Sequence, residues 1–287
     1  MRLIVIFSLP IAVILGLLFG SQAIAQSKLT KADINSAIAA PSLNEALAIF
    51  LPKLPQVVIP EQGNAVYYVL EGDLLLNHEG VESYLMSHRQ GIVPARDGEL
   101  LVMTQMGKKV IWQPGQRNLT YAVARNTFPT QTQYQEVVNN MREAANDWLF
   151  CAECGLTIKH QEKFDANPKP GEVTFIVRYV PNETDFIAAA FFPNYPQAMR
   201  QVFIAPSYFT TTANHVGVLR HELGHVLGYR HEHIVGIPGC ALEDGNWVPV
   251  TPYDSHSVMH YLCGDGGSMT MALQETDKAG HRIAYGE

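Results

Sequence analysis

Two histidines and a glutamate occur at a spacing that suits metal chemistry. His221 and His225 are four residues apart, so on a helix their imidazoles lie on one face and can bind the same metal ion. Glu222 then lies beside the ion, where a carboxylate can accept a proton from water instead of binding the metal. His231 can reach the same ion only if the helix ends before it. Gly228 allows such an end because glycine adopts a left-handed backbone at little cost.

This ligand set predicts a catalytic zinc site. Three neutral imidazoles leave an open fourth position on the metal, whereas a structural zinc has four protein ligands, usually including cysteines. No cysteine occurs between residues 221 and 232. A helix that carries His-Glu-x-x-His without function is the alternative, but Gly228 and His231 are the residues that a third ligand demands. We therefore predict a Zn²⁺ ion bound by the three histidines, with Glu222 as the catalytic base.

The motif and a later segment of the chain resemble those of a known family. Residues 221–231 resemble the long zinc signature of the metzincin metalloproteases, and Ser-Val-Met-His-Tyr at 257–261 resembles their Met-turn in the astacin-like branch. Glu232, directly after the third histidine, also matches astacins. The likeness is strongest over residues 214–261 and becomes loose in the rest of the catalytic part. It implies a metzincin-like zincin fold, with Met259 packed beneath the zinc.

The resemblance also implies an activity. The protein is expected to be a zinc endopeptidase that acts on proteins or peptides, with Glu222 transferring a proton from water to the leaving amine. Tyr261 is expected to act as a movable phenol that donates a hydrogen bond to the oxyanion. Two other interpretations stay open. One is a secreted binding module of the same fold without turnover, and the other is a zinc amidase that acts on a non-protein amide.

Composition and the N-terminus predict an exported protein. The chain has 287 residues, of which 47% are hydrophobic, and a net charge of −7 with no basic run, which argues against a nucleic-acid partner. An apolar run at residues 3–19 is followed by Ala-Ile-Ala at 23–25, which predicts a signal peptide at residues 1–25. We expect a secreted or extracytoplasmic protein without stable membrane insertion. An uncleaved anchor is the alternative, because the run is long for a signal peptide.

Four cysteines, all after residue 150, can form disulfides in an exported chain. Three pairings are possible. We predict Cys240 with Cys263, because these residues flank the segment between the zinc motif and the loop after Met259. Cys151 and Cys154 then pair locally. A redox-active Cys-x-x-Cys is the alternative for the local pair.

Residues 26–105 lack a catalytic constellation and are predicted to form a small propeptide region. Glu71-Gly72-Asp73 resembles the Gly-Asp element by which astacin propeptides present an aspartate to the zinc, and a carboxylate is a competent zinc ligand. Gly-Asp is also a common turn, so a turn without a ligand role stays open. The absence of cysteine before Cys151 excludes the thiol latch of matrixin propeptides.

The predicted elements indicate an α+β fold. Helical periodicity is present at residues 28–50, 79–88, 130–149, 214–227 and 273–285. Strand-like runs occur at residues 66–70, 119–123, 156–160, 173–180, 186–192 and 202–205. In the catalytic domain, residues 106–287, they predict a mixed twisted sheet with two long helices and a C-terminal helix. The run at 186–192 is either the sheet edge that pairs with an extended substrate or an ordinary buried strand.

Three further histidines have simpler interpretations. His233 and His256 could reach the region of the site but are interpreted as solvated loop residues, and His260 is interpreted as part of the core or of the surroundings of the zinc. In the C-terminal helix, Leu273, Ala279, Ile283 and Ala284 are predicted to form the packing face.

Overall fold

The computed structural model of the chain describes residues 29–89, 100–183, 185–235, 237–238, 240 and 247–286. The predicted signal peptide and part of the loop at residues 238–252 lie outside these ranges. Within them, no helix combines the length and the apolar character that crossing a membrane requires.

The described residues form an α+β fold, as predicted. The helices are α1 (Lys31–Ala39), α2 (Leu43–Phe50), α3 (His78–Arg89), α4 (Gln131–Trp148), α5 (His215–Val226) and α6 (Glu275–Tyr285). The strands are β1 (Gln56–Ile59), β2 (Ala65–Leu70), β3 (Leu74–Leu76), β4 (Leu101–Gln105), β5 (Lys108–Lys109), β6 (Asn118–Val123), β7 (Thr157–His160), β8 (Phe175–Tyr179), β9 (Ala188–Ala189), β10 (Gln201–Ile204), β11 (Tyr229–Arg230) and β12 (Trp247–Pro249). The strand predicted at residues 186–192 is reduced to the two residues of β9.

The helix predicted at residues 28–50 is divided into α1 and α2. Pro41 lies between them, and proline disfavours helical geometry in the residue before it, Ala40, whose ψ is 143°. Ser42 then caps α2 by accepting a hydrogen bond from the Glu45 backbone N–H at 3.2 Å. The prediction of one continuous helix was wrong because it followed the apolar spacing and ignored this proline.

A five-stranded mixed sheet lies in the order β7-β6-β8-β10-β9. Strand β6 is parallel to β7 and β8, and β8 is parallel to β10, whereas β9 is antiparallel to β10 and lies at the edge. Helix α4 buries the predicted face, formed by Val137, Val138, Met141, Ala144, Ala145 and Trp148. The Trp148 indole N–H also donates to the Arg220 carbonyl of α5 at 2.9 Å. This bond ties α5 to α4.

A second sheet joins distant parts of the chain. Strand β4 pairs with β11, where Arg230 lies opposite Leu101, and with β12, where Val248 lies opposite Val102. Strand β5 pairs with the other end of β4. The sequence analysis did not predict this sheet, because its strands are short and their partners lie far apart along the chain. The predicted boundary between residues 105 and 106 falls inside the sheet, between β4 and β5.

The packing face predicted for helix α6 is confirmed in part. Ala284 is buried and Leu273 packs against the core, but Ile283 is 47% exposed, and Asp277, Gly280, His281 and Tyr285 are buried instead. The prediction was wrong for Ile283 because two polar side chains are buried with partners. His281 Nδ1 lies 2.8 Å from the Tyr229 hydroxyl, and Asp277 bonds to the loop at residues 257–261. Burial lowers the pKa of His281 to about 3, so this imidazole is neutral.

Both predicted disulfides are present. Cys151 pairs with Cys154, and Cys240 pairs with Cys263, with Cα atoms 5.3 Å and 5.0 Å apart. The second disulfide connects the chain after the zinc motif with the loop that follows Met259. The fold therefore constrains two segments that border the predicted site.

Candidate metal centre

Helix α5 carries the first two predicted ligands, and a glycine directs the chain to the third. Asn214 caps the start of the helix by accepting the Gly217 backbone N–H at 2.7 Å. Gly228 follows the helix with a φ of +99°, and a Cβ atom there would collide with the Val110 carbonyl. The chain therefore turns at Gly228, as predicted, and β11 leads to His231.

The three histidines converge with Asp73 on one point. Their ligand atoms lie within 4.8 Å of one another, and all four residues are buried. The Nε2 atoms of His225 and His231 are 3.2 Å apart. The Asp73 carboxylate lies 3.1 Å from Nε2 of His221, 3.1 Å from that of His231 and 3.4 Å from that of His225. Two ligand atoms that each lie ~2.0–2.1 Å from a tetrahedral zinc ion are ~3.3–3.4 Å from each other. The distances between these donor atoms therefore fit a metal ion of the size of zinc.

Hydrogen bonds determine which imidazole nitrogen faces the common point. Nδ1 of His221 donates to the Val258 carbonyl at 2.7 Å, and Nδ1 of His225 donates to the Tyr229 carbonyl at 2.8 Å. A carbonyl oxygen only accepts, so Nδ1 carries the proton and Nε2 keeps its lone pair for a metal. Burial lowers the pKa of His225 to about 4, which keeps this imidazole neutral.

Met259 lies against the helix that carries these ligands. Its side chain is fully buried, and its sulfur fills the space where a Cβ atom at Gly224 would be. The Met259 carbonyl also accepts the Glu232 backbone N–H at 3.0 Å. The loop at residues 257–261 is thus packed on α5 and bonded to the residue after the third histidine.

Asp277 of α6 anchors the same loop from outside the motif. Its carboxylate accepts the Ser257 hydroxyl at 2.5 Å, the Val258 backbone N–H at 3.0 Å and the Gln274 backbone N–H at 2.8 Å. Because the Val258 carbonyl accepts the His221 Nδ1–H, Asp277 positions one of the candidate ligands. The sequence analysis missed this residue, since nothing near it in the chain indicates a site.

Replacing Asp277 by Asn is expected to weaken zinc binding and to lower stability. The Asn side chain has only one acceptor oxygen, and its NH2 group faces a hydrogen-bond donor that the second carboxylate oxygen accepted from. Each hydrogen-bonding group left unpaired costs ~1–3 kcal/mol. The loosened carbonyl of Val258 orients His221 less well, so the zinc affinity should fall ~10–100-fold. Zinc titration and denaturant unfolding measure the two effects. Glu275→Gln, an exposed change on the same helix, is the control, and an unchanged zinc affinity in Asp277→Asn would refute the positioning role.

Asp73 reaches the histidines through a turn. Glu71 and Gly72 both have positive φ, of 56° and 97°, and the Asp73 backbone N–H donates to the Leu70 carbonyl at 3.3 Å. Burial raises the pKa of Asp73. The neighbouring histidines act in the opposite direction and outweigh burial, so this pKa lies well below its usual range. The turn therefore places the Asp73 carboxylate at the three histidines.

Glu222 is buried beside the cluster without a neutralising partner. Its Oε2 atom accepts no hydrogen bond from the part of the chain that the structure describes. With Asp73 and His221 it lines a cavity of about 50 Å³. Burial, and then the charge of Asp73, raises the pKa of Glu222 well above its usual value, although His231 opposes this. The side chain is therefore placed to take up a proton.

Tyr261 packs on the candidate ligands. Its ring centroid lies 4.3 Å from that of His231 and 5.6 Å from that of His221. The phenol donates a hydrogen bond to the Glu71 carbonyl at 3.1 Å. The structure thus places the predicted phenol at the histidines, where it already contacts a peptide carbonyl.

His233 is not a solvated loop residue. It is fully buried, and its ring packs against those of both His231 and Tyr261 at centroid distances of 5.2 Å and 4.8 Å. The prediction was wrong because the chain after His231 turns inward. His233 also lies near His260 and Cys263, but the sulfur of Cys263 is in a disulfide and is not a thiolate ligand. His256, whose side chain is 65% exposed, is solvated as predicted, and His260 is buried as predicted.

Comparison with known proteins adds no relative to this description. No family model matches the chain, and no curated protein matches it significantly.

Proposed function

We propose that the protein is an exported zinc endopeptidase of the metzincin type, related to the astacin-like branch and made as a latent proenzyme. One observation carries this proposal: three histidine Nε2 atoms and a carboxylate meet at zinc-like distances, with Glu222 beside them. Zinc, when bound, would act as a Lewis acid that lowers the pKa of water and polarises the carbonyl of the substrate.

Each neighbouring side chain has a role in this reaction. Glu222 accepts a proton from the attacking water and returns it to the leaving amine. Tyr261 donates a hydrogen bond to the carbonyl oxygen of the substrate as negative charge develops on it. The hydrogen bond from this phenol to the Glu71 carbonyl supports the role, because the acceptor belongs to a peptide lying at the histidines.

The edge of the central sheet supports a peptide substrate. The Ala190 backbone N–H donates to the Asp73 carbonyl at 2.8 Å, and the Leu75 backbone N–H donates to the Ala190 carbonyl at 2.7 Å. The segment next to Asp73 therefore lies on the edge in the manner of an added strand. A substrate peptide would replace this segment, which favours an endopeptidase over a zinc amidase for non-protein amides.

The proposed enzyme is latent and is exported from the cytoplasm. Asp73 fills the position that the three histidines leave open, so we assign the region before β4 to a propeptide that blocks the site. The signal-type sequence at residues 1–25 and the two disulfides are compatible with an oxidising compartment outside the cytoplasm. A fragment that starts at residue 106 would lack β4, so experiments should use the full chain.

The metal is the first test of this function. The full chain is expected to contain one zinc per molecule, and His231→Ala should lower both the zinc content and the hydrolysis of an unstructured protein after activation. Metal analysis and the cleavage of that protein, with and without a chelator, measure these effects. His256→Ala, at an exposed histidine, is the control. Stoichiometric zinc in His231→Ala combined with Asp73→Ala, which leaves only two of the four grouped side chains, would refute the three-histidine site, and zinc without cleavage would indicate a binding module.

A further inference from the structure

Residues 268–271 form part of the lining of the cavity beside Glu222. Ser268 and Met271 contribute to this lining, and we call residues 268–271 the cleft wall. Residues 262–271, all of which the structure describes, belong to no helix or strand. The position of the cleft wall therefore depends on the bonds that its individual residues make with the rest of the fold.

Helix α5 holds the cleft wall at two points. The Asn214 backbone N–H donates to the Met269 carbonyl at 2.8 Å, and Nη1 of Arg220 donates to the Met271 carbonyl at 2.6 Å. Between these points, a Cβ atom at Gly217 would lie only 2.4 Å from a carbonyl oxygen of the cleft wall. The cleft wall is thus packed directly on the helix that carries two of the candidate ligands.

The guanidinium of Arg220 connects the cleft wall to α4 as well. Its Nε and Nη2 atoms donate to Oδ2 of Asp147 at 2.8 Å and 2.5 Å, and Arg220 is only 9% exposed. A guanidinium is planar and rigid, so the bonds to Asp147 fix the direction of the remaining Nη1 bond to the Met271 carbonyl. Trp148 already joins α4 to the backbone of α5. What the side chain of Arg220 adds to this packing is the bond to the cleft wall.

We propose that Arg220 is a positioning residue for the substrate, because it holds the cleft wall where a side chain of the bound peptide packs. This inference rests on the proposed function, and it assigns part of the affinity for the peptide to a residue that acts through Met271. Proton transfer by Glu222 does not depend on this contact. A displaced cleft wall weakens the binding of the substrate and of the transition state to the same extent, which raises KM and leaves kcat unchanged.

The kinetic test uses the full chain with Asp73→Ala and fluorescently labelled casein, an unstructured protein, as the substrate. Adding Arg220→Gln should raise KM at least ~5-fold, while kcat stays within about twofold and the zinc content is unchanged. Arg220→Lys keeps a cation that can reach one of the two acceptors, so it should restore part of the affinity. Arg282→Gln, at a side chain that is 48% exposed on α6, is the matched control and should leave KM unchanged.

Asp147→Asn is a second variant that leaves Arg220 in place and removes its charged partner. The Asp147 side chain is 38% exposed, so this change is suitable even if Arg220→Gln does not fold. It should raise KM by a smaller factor than Arg220→Gln does, because the guanidinium loses its orientation but keeps the bond to the cleft wall. An unchanged KM in both variants, or a loss confined to kcat, would overturn the positioning role.

Hydrogen–deuterium exchange tests the position of the cleft wall without any activity. The parent chain and its Arg220→Gln variant are compared in the latent form. Backbone amides of residues 262–271 should exchange faster in the variant, whereas those of β6 should exchange at the parent rate. Equal exchange of residues 262–271 in the two chains would show that Arg220 does not hold the cleft wall.

A binding measurement separates this inference from the proposed function. The chain with Asp73→Ala and Glu222→Gln is titrated with labelled casein, with and without Arg220→Gln, and fluorescence anisotropy gives the Kd values. Binding that Arg220→Gln weakens at least ~5-fold supports the inference, even if no chain cleaves casein and the hydrolase proposal fails. Equal affinity of the two chains would overturn it, and so would the absence of binding by both.

Discussion

Replacing Glu222 by Gln in the activated protein is expected to lower the rate of peptide hydrolysis by at least ~10²-fold while the zinc content stays at the parent value. Gln keeps the size and polarity of the side chain but cannot accept a proton. Glu222 ligates nothing in the proposed site and lines the cavity next to Asp73 and His221. The loss should therefore appear in kcat, because proton transfer occurs in the reaction and not in the binding of the metal.

The measurement compares kcat, KM and zinc content for the parent and the variant in the Asp73→Ala background. Glu275→Gln makes the same chemical change on α6, where the side chain is 85% exposed, and should leave all three values unchanged. Thermal unfolding of both variants shows whether the buried amide disturbs the fold. Activity of Glu222→Gln within a few-fold of the parent would remove this residue from the mechanism.

Replacing Asp73 by Ala is expected to give the full-length chain an activity that the full-length parent lacks. The carboxylate lies 3.1 Å from Nε2 of His221, and in the proposed enzyme it would occupy the place that the attacking water needs. We expect the three histidines to bind zinc without it and to leave the fourth position open. The activity should appear without proteolytic removal of the propeptide, and cleavage of an unstructured protein in the presence of zinc measures it.

Asp73→Asn distinguishes a ligand from an obstacle. Asn keeps the size of the side chain but is a much weaker zinc ligand than a carboxylate, so activation by Asn as well as by Ala would show that Asp73 acts by binding the metal. Glu82→Ala removes a carboxylate of α3 that pairs with His78 and is not part of the group around the three candidate ligands, so this variant should stay latent. If Asp73→Ala is as latent as the parent, the region blocks the cleft by bulk, and Asp73 is a turn residue.

Rules that act over a few residues predict the local part of this site. The spacing of His221, His225 and Gly228 predicts one helical face followed by a left-handed break, because helical periodicity and the freedom of glycine act over a few residues. The fold places these residues as predicted. The pairing of Cys240 with Cys263 was also predictable, since both residues flank the segment around the site. Local rules sufficed for these residues, because each set lies in one short part of the chain.

Contacts between distant segments determine which side chains from elsewhere in the chain meet the zinc motif. The Asp73 carboxylate reaches His221 across 148 positions of the chain, and Glu71 reaches Arg230 across 159. No local periodicity specifies such pairs, because they depend on how sheets, turns and helices pack. For the same reason, the sequence did not predict the pairing of β4 with β11, the anchoring of residues 257–261 by Asp277 or the burial of His233. A motif indicates which chemistry is available, and packing determines which side chains surround it.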